Sequence, residues 1–227
     1  MGAAIGWGVV AASSLVIGAL LGLARPWPRK WIGLVLGFGA GALISAVSFE
    51  LFGEGVRLAG AAPVAAGLAV GAIAYFLAAG KVAAMGGGGA LALGAFLDGI
   101  PEQMVLGIGL AGGEPVSAGL LAAIFVSNLP EAVGGATDMR RHTRTTRQVV
   151  RAWVGIAAFC ALATVIGYLI ADAASDELQA GINGFAAGAL IVMLVDSMIP
   201  EATEQAGRTT GLVTTLGFAV AAGLSLA

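Results

Sequence analysis

Two pentapeptides carry the chemistry in this chain: Asp98-Gly99-Ile100-Pro101-Glu102 and Ser127-Asn128-Leu129-Pro130-Glu131. Each lies inside an apolar stretch long enough to cross a membrane, and each sets a carboxylate beside a proline. A carboxylate at that depth costs about 2.5–3.5 kcal/mol to insert, so it faces a polar pathway rather than lipid. On a helix, Asp98 and Glu102 share a face, as do Ser127 and Glu131. Proline frees a carbonyl one turn earlier, that of Leu97 for Pro101 and of Val126 for Pro130. Two such helices facing each other enclose oxygen ligands: carboxylates, an alcohol, the Asn128 amide and freed carbonyls. Buried carboxylates repel one another until a cation or protons neutralise them, so the expected chemistry is proton-sensitive binding of a divalent cation. Glu102 and Glu131 are the central ligands in this reading, with Asp98, Ser127 and Asn128 beside them.

Other acids extend the set. A third Pro-Glu pair, Pro200-Glu201, follows Asp196 and Ser197, and an earlier span contributes Glu50 and Glu54. These five residues are read as the transport path, with Glu54 and Glu201 as stations at its two mouths. The structural alternative is that Glu54 and Glu201, near span ends, cap helices, and that Ser127, Ser197 and Ser45 bond to their own helix. The single cysteine, Cys160, rules out an internal disulfide and reads as a small core residue. The single histidine, His142, stands among arginines in a loop, so imidazole ligation within the bundle is excluded.

The elements that must position these residues are transmembrane helices. Of 227 residues 59% are hydrophobic and 11% charged, with a mean hydropathy of +0.96, far more apolar than a soluble domain. The 37 glycines fit close helix packing. Eight apolar spans are expected, at roughly 4–24, 32–56, 62–80, 89–111, 116–138, 149–171, 181–205 and 210–226. They form a single transmembrane transporter domain over residues 1–227, with no soluble domain. The first span lacks a basic leader and reads as a retained helix rather than a signal peptide. Met85-Gly86-Gly87-Gly88-Gly89 reads as a hinge.

Arg25, Arg29, Lys30, Lys81, Arg140, Arg141, Arg144, Arg147, Arg151 and Arg208 fall on one side of an eight-span topology, and Arg57 on the other. The positive-inside rule then places both termini outside the cytoplasm, in a multi-pass protein of the cell (inner) membrane. Topology explains the basic loop better than a nucleic-acid patch, and no nucleic-acid partner is expected. The expected partners are the lipid bilayer, the divalent cation and, as an open alternative to a monomer, a second copy in a homodimer. No prosthetic group is expected.

An internal repeat is also visible. Gly37-Phe38-Gly39-Ala40-Gly41-Ala42-Leu43-Ile44 resembles Gly184-Phe185-Ala186-Ala187-Gly188-Ala189-Leu190-Ile191, and the same register sets Glu54 on Glu201. The matched spans run in opposite directions in the expected topology. This predicts an inverted repeat, spans 1–3 against 6–8 with spans 4 and 5 paired, and a site near the midplane.

At this point the sequence resembles the ZIP family (Zrt-, Irt-like proteins) of divalent metal transporters. That family has eight helices, short termini outside, and motifs of the form His-Asn-x-Pro-Glu-Gly and x-x-x-Pro-Glu in helices four and five. Asp98-Gly99-Ile100-Pro101-Glu102-Gln103 and Ser127-Asn128-Leu129-Pro130-Glu131 stand at those places. The stretch from Gly184 to Pro200-Glu201 looks like the seventh helix, with Asp196 and Ser197 where a His-Glu pair usually stands. The resemblance implies an all-α membrane transporter, not an enzyme, that carries zinc, iron, manganese or cadmium ions by alternating access. It implies Asp98, Glu102, Ser127 and Glu131 as the primary site, with Asn128 auxiliary. The departures are specific. Asp98 replaces a histidine, Gly99 an asparagine, and Ser127 a frequent histidine or glutamine. Span six lacks the acid many members have there, which argues against a second metal site. An oxygen-only set shifts preference toward harder ions such as Mn²⁺ or Fe²⁺. The rival readings are a transporter of another cationic or proton-coupled substrate on the same fold, and an intramembrane enzyme, for which no nucleophile–base pair is evident.

Overall fold

A computed structural model describes the backbone of residues 1–85, 90–111, 117–141 and 145–225. The glycine hinge at 86–89 and the loop residues His142 and Arg144 lie outside the described residues. Within them the chain forms eight helical rods: α1 (Gly2–Ala24), α2 (Arg29–Ala59), α3 (Ala61–Met85), α4 (Ala90–Ala111), α5 (Ala118–Arg141), α6 (Thr146–Asp172), α7 (Asp176–Ala206) and α8 (Thr209–Ser225). No strand occurs among the described residues.

Six of the rods, α1, α2, α3, α5, α6 and α7, are long and apolar enough to cross a membrane. Of the other two expected spans, α4 is a 22-residue helix carrying Asp98 and Glu102, and α8 is apolar but shorter. Exposed Val70, Ile73, Phe76 and Leu77 on α3, and Phe159, Leu162, Ile166 and Leu169 on α6, clothe the outside of the bundle. Water would penalise such faces; a hydrocarbon solvent does not. Polar caps occur where helices begin. Thr145 and Gln148 form a reciprocal capping box at α6, and Ser175 caps α7 ahead of Asp176 and Glu177.

Small residues set which rods touch. A Cβ placed on Gly41 would overlap the Thr214 carbonyl, and one on Gly188 the Leu68 carbonyl, so these glycines seat α2 on α8 and α7 on α3 at backbone contact. The register of such contacts makes α2 and α8 parallel, with Gly37 at Thr210 and Gly41 at Thr214; α3 and α7 are likewise parallel, as are α1 with α5 and α4 with α6. By contrast α2 crosses α7 antiparallel, with Gly33 at Gln205 and Gly55 at Asn183.

Both long rods depart from regular helix at corresponding places. α2 widens to a π-helical turn over Val47–Gly53, and α7 over Leu194–Met198. In α7 the following Pro200 lacks the N–H that a regular turn would use. In α2 the Ser48 hydroxyl bonds back to the Ile44 carbonyl at 2.8 Å and competes with the ladder. Both rods end on a glycine at positive φ, Gly60 at 80° and Gly207 at 64°, which reverses the chain within one or two residues.

Candidate cation site

Facing α4 and α5 supply the central groups. Both helices run unbroken through Pro101 and Pro130. Asp98, Glu102 and Gln103 on α4, and Ser127 and Asn128 on α5, are buried, while Glu131 is half-buried. Glu102 is held from across the interface: Ser127 Oγ donates to its Oε1 at 2.9 Å and Asn128 Nδ2 to its Oε2 at 2.6 Å. Both donors also contact the Ile124 carbonyl, at 3.0 and 2.8 Å, so the Ser127 hydroxyl serves its own helix and the site together. Tyr75 on α3 donates its hydroxyl to Asp98. Glu131 lies within electrostatic reach of Asp98, Glu102 and Glu201.

The carboxylates are therefore neighbours in one acidic centre. They do not form a closed cage: among the described residues no group of three or more His, Cys, Asp or Glu side chains is close enough to hold one ion. Around the centre, buried polar atoms are unevenly satisfied. Thr164 on α6 donates to Gln103 Oε1 at 2.6 Å, whereas Gln103 Nε2 and Asn128 Oδ1 have no partner. Gly99 is a notch for α6, since a Cβ there would lie 2.7 Å from Cys160 Sγ and 3.8 Å from Asn128 Oδ1.

The remaining acids divide among three places. Glu50 and Glu54 line a cavity of about 740 Å³ at the end of the bundle where α2 turns into α3. There Glu50 accepts hydrogen bonds from Ser117 at 2.5 Å and Ser225 at 2.6 Å, and Glu54 pairs with Arg57 one turn on. Leu51, Val105, Leu106 and Leu120 also line this cavity and are almost wholly buried. Asp196 and Ser197 line a second cavity of about 380 Å³ together with Asp98 and Tyr75. Glu201 accepts a hydrogen bond from Gln205 at 2.8 Å and lies within electrostatic reach of Arg29 and of Asp98.

Four residues near the acidic centre escape a motif-based reading: Tyr75, Gln103, Cys160 and Thr164. Only Tyr75 carried a signal, as the sole tyrosine in the middle of an otherwise apolar span. The others look like ordinary small or neutral core residues until α6 is seen packed on α4.

Fold and centre together define a multi-pass helical membrane protein with carboxylates buried in its bundle. The chain is similar to an Arabidopsis thaliana protein named as a candidate zinc transporter, with 32% identity over 194 residues, 78% of this chain and 31% of the relative. It thus spans about a third of that relative's length. No protein-family model matches the chain.

Proposed function

We propose that this protein moves divalent metal cations of the zinc, iron and manganese class across a membrane by alternating access, through the carboxylates between α4 and α5. The observation that carries the reading is Glu102, wholly buried beneath Pro101 and hydrogen-bonded by Ser127 and Asn128 of the facing helix. An ionisable group at such a position marks a pathway. Support comes from the neighbouring Asp98, Glu131 and Glu201, from cavities bordered by Glu50 and Glu54 and by Asp98 and Asp196, and from a relative named for zinc transport rather than catalysis. Asp98, Glu102, Ser127, Asn128 and Glu131 form the binding centre in this reading. Glu50 and Glu54 load it from one end; Asp196, Ser197 and Glu201 unload it at the other.

The same proposal includes eight spans and an inverted repeat. Its support is a constant offset: α2 and α7 are each 31 residues long, and each holds a π turn, a glutamate and a terminal positive-φ glycine at matching places. Pairing of α2 with α8 answers pairing of α7 with α3, and α1 with α5 answers α6 with α4. Such pseudo-symmetry fits a site that opens alternately to the two ends.

Glu102→Ala and Glu131→Ala should each abolish divalent-ion uptake into proteoliposomes while the protein stays folded by thermal melting. Uptake retained by both variants overturns the site. One observation favours a second reading: the carboxylates are not gathered tightly enough to hold an ion as placed. A proton-coupled carrier of another cation would show substrate-driven acidification with no metal uptake.

A further inference from the structure

The connection from α1 to α2, Arg25-Pro26-Trp27-Pro28, borders an apolar groove at the end of the bundle that carries most of the basic residues. The groove encloses about 100 Å³ between Trp27, Trp31 and Val35 on one side and Leu129, Pro130 and Val133 of α5 on the other. Trp27 is fixed in place, its Nε1 donating to the Leu21 carbonyl at 3.0 Å. The Arg25 guanidinium lies over the same ring, 4.1 Å from its centroid, so a cation is held against the wall of the groove. Arg29 and Lys30 follow in the first turn of α2, which has no acidic residue and no side-chain cap. All three basic residues are exposed, and none of them forms a salt bridge among the described residues. Arg29 lies within electrostatic reach of Glu201. Cations at the positive end of a helix dipole are unfavourably placed, and an outside anion would relieve them.

We infer that this groove is a docking site for an anionic phospholipid of the surrounding bilayer, with its headgroup against Arg25, Arg29 and Lys30 and the start of one acyl chain between the tryptophans and α5. The walls are apolar and belong to the opening turns of a helix long enough to span a membrane, where hydrocarbon rather than water is the neighbour. The rim sets two tryptophans beside three cations, the combination that suits the headgroup level: indole rings rest at the membrane interface and basic side chains reach the charged layer. Basic residues at that level attract lipids of net negative charge one by one, and a pocket lined by them between helices selects such a headgroup. The groove also has a structural consequence. α1 meets α5 at backbone contact close by, Gly18 at the Leu129 carbonyl and Gly22 at the Val133 carbonyl. A lipid seated between the connection and α5 therefore braces α1, α2 and α5 at one junction, in the turn of α5 that leads into Glu131. The inference needs only a multi-pass membrane protein and stands apart from the transport reading.

The test uses the full-length protein. Native mass spectrometry with phosphatidylglycerol or phosphatidylcholine added to the detergent should show phosphatidylglycerol bound in preference. Arg25→Gln combined with Lys30→Gln should weaken that binding about 10-fold or more, because two cations facing an anionic headgroup are lost. Arg147→Gln combined with Arg151→Gln removes the same charge from exposed positions at the same end of the bundle and should leave the binding unchanged. Equal losses from the two pairs overturn the site, since the attraction then belongs to the whole basic end. A second measurement leaves the sequence intact. Wild-type protein in nanodiscs is irradiated with phosphatidylglycerol that carries a diazirine near the headgroup end of one acyl chain. Crosslinks should concentrate on residues 27–35 and 129–133; crosslinks spread evenly over the exposed faces of α3 and α6 overturn the groove even if the charge variants misfold. Phosphatidylglycerol should also raise the melting temperature of the wild type and not that of the Arg25→Gln, Lys30→Gln protein, whereas inorganic phosphate should raise neither. An equal rise with inorganic phosphate alone makes the site one for a free anion and overturns the lipid.

Discussion

In the transport reading proposed above, Asp98 sets how hard the acidic centre is. An oxygen-only set suits Mn²⁺ or Fe²⁺, and a single imidazole moves preference toward Zn²⁺. Asp98→His should therefore shift competitive uptake among Zn²⁺, Mn²⁺, Fe²⁺ and Cd²⁺ toward Zn²⁺. An unchanged order of preference removes ligand hardness as the cause. Protons and cations compete for the same carboxylates in this reading, so wild-type uptake should fall as pH drops. Gly99 makes a different demand. A methyl there meets Cys160 Sγ at 2.7 Å, so Gly99→Ala should lower the melting temperature, and Cys160→Ala added to it should restore most of the loss. Equal melting of the single and double variants would remove the notch from the account. At this scale the acids were legible and their partners were not. A carboxylate in an apolar run stands out in any sequence. Tyr75, Thr164 and Cys160 gain meaning only when α3 and α6 are laid against α4, a juxtaposition that spans 23 residues for Tyr75–Asp98 and 61 for Gln103–Thr164.

At the scale of elements, hydropathy and the Pro-Glu spacing placed the rods but not their internal irregularity. The octapeptides of α2 and α7 match, yet nothing in Val47–Gly53 marks a π turn in advance. That segment contains no proline, and a serine such as Ser48 that bonds back to the preceding turn is too common in helices to announce a π turn. The helix-ending glycines were hidden for the same reason: among so many glycines, the two that need positive φ do not stand apart. Gly60, at φ 80° and ψ 178°, occupies backbone space that L-residues avoid. Gly60→Ala should cost about 1–3 kcal/mol, and Gly207→Ala a similar amount. Alanine at Gly211, where a Cβ meets nothing within 4 Å, is the control expected to leave the melting temperature unchanged. Loss at Gly211 equal to that at Gly60 would mean backbone conformation is not the cause.

For the whole molecule, charge and hydropathy carried the argument furthest. The expected one-sidedness of the basic residues has a counterpart in the fold. Arg25, Arg29, Lys30, Lys81, Arg140, Arg141, Arg147, Arg151 and Arg208 all lie at or near the end opposite the Glu50 cavity, while Arg57 sits beside that cavity. If that basic end is cytoplasmic, a Thr143→Cys reporter in a Cys160→Ser background should resist a membrane-impermeant maleimide in intact cells and react after permeabilisation. Labelling in intact cells reverses the orientation. What sequence could not supply is the pairing of rods. Any glycine-rich span can approach any other, and only backbone contact reveals that α2 chooses α8 and α7 chooses α3.

The turns at Gly60 and Gly207 bear on how the protein is made. With so little chain between α2 and α3, or between α7 and α8, neither helix can settle in the bilayer long before its successor arrives. Each pair must enter as a hairpin. The carboxylates of Glu50 and Glu54 on α2, and of Asp196 and Glu201 on α7, then meet lipid only alongside a second helix that carries no acid of its own. The order of biogenesis is thus built into two glycines, and slowing either reversal would strand acidic helices at the insertion machinery before they could fold.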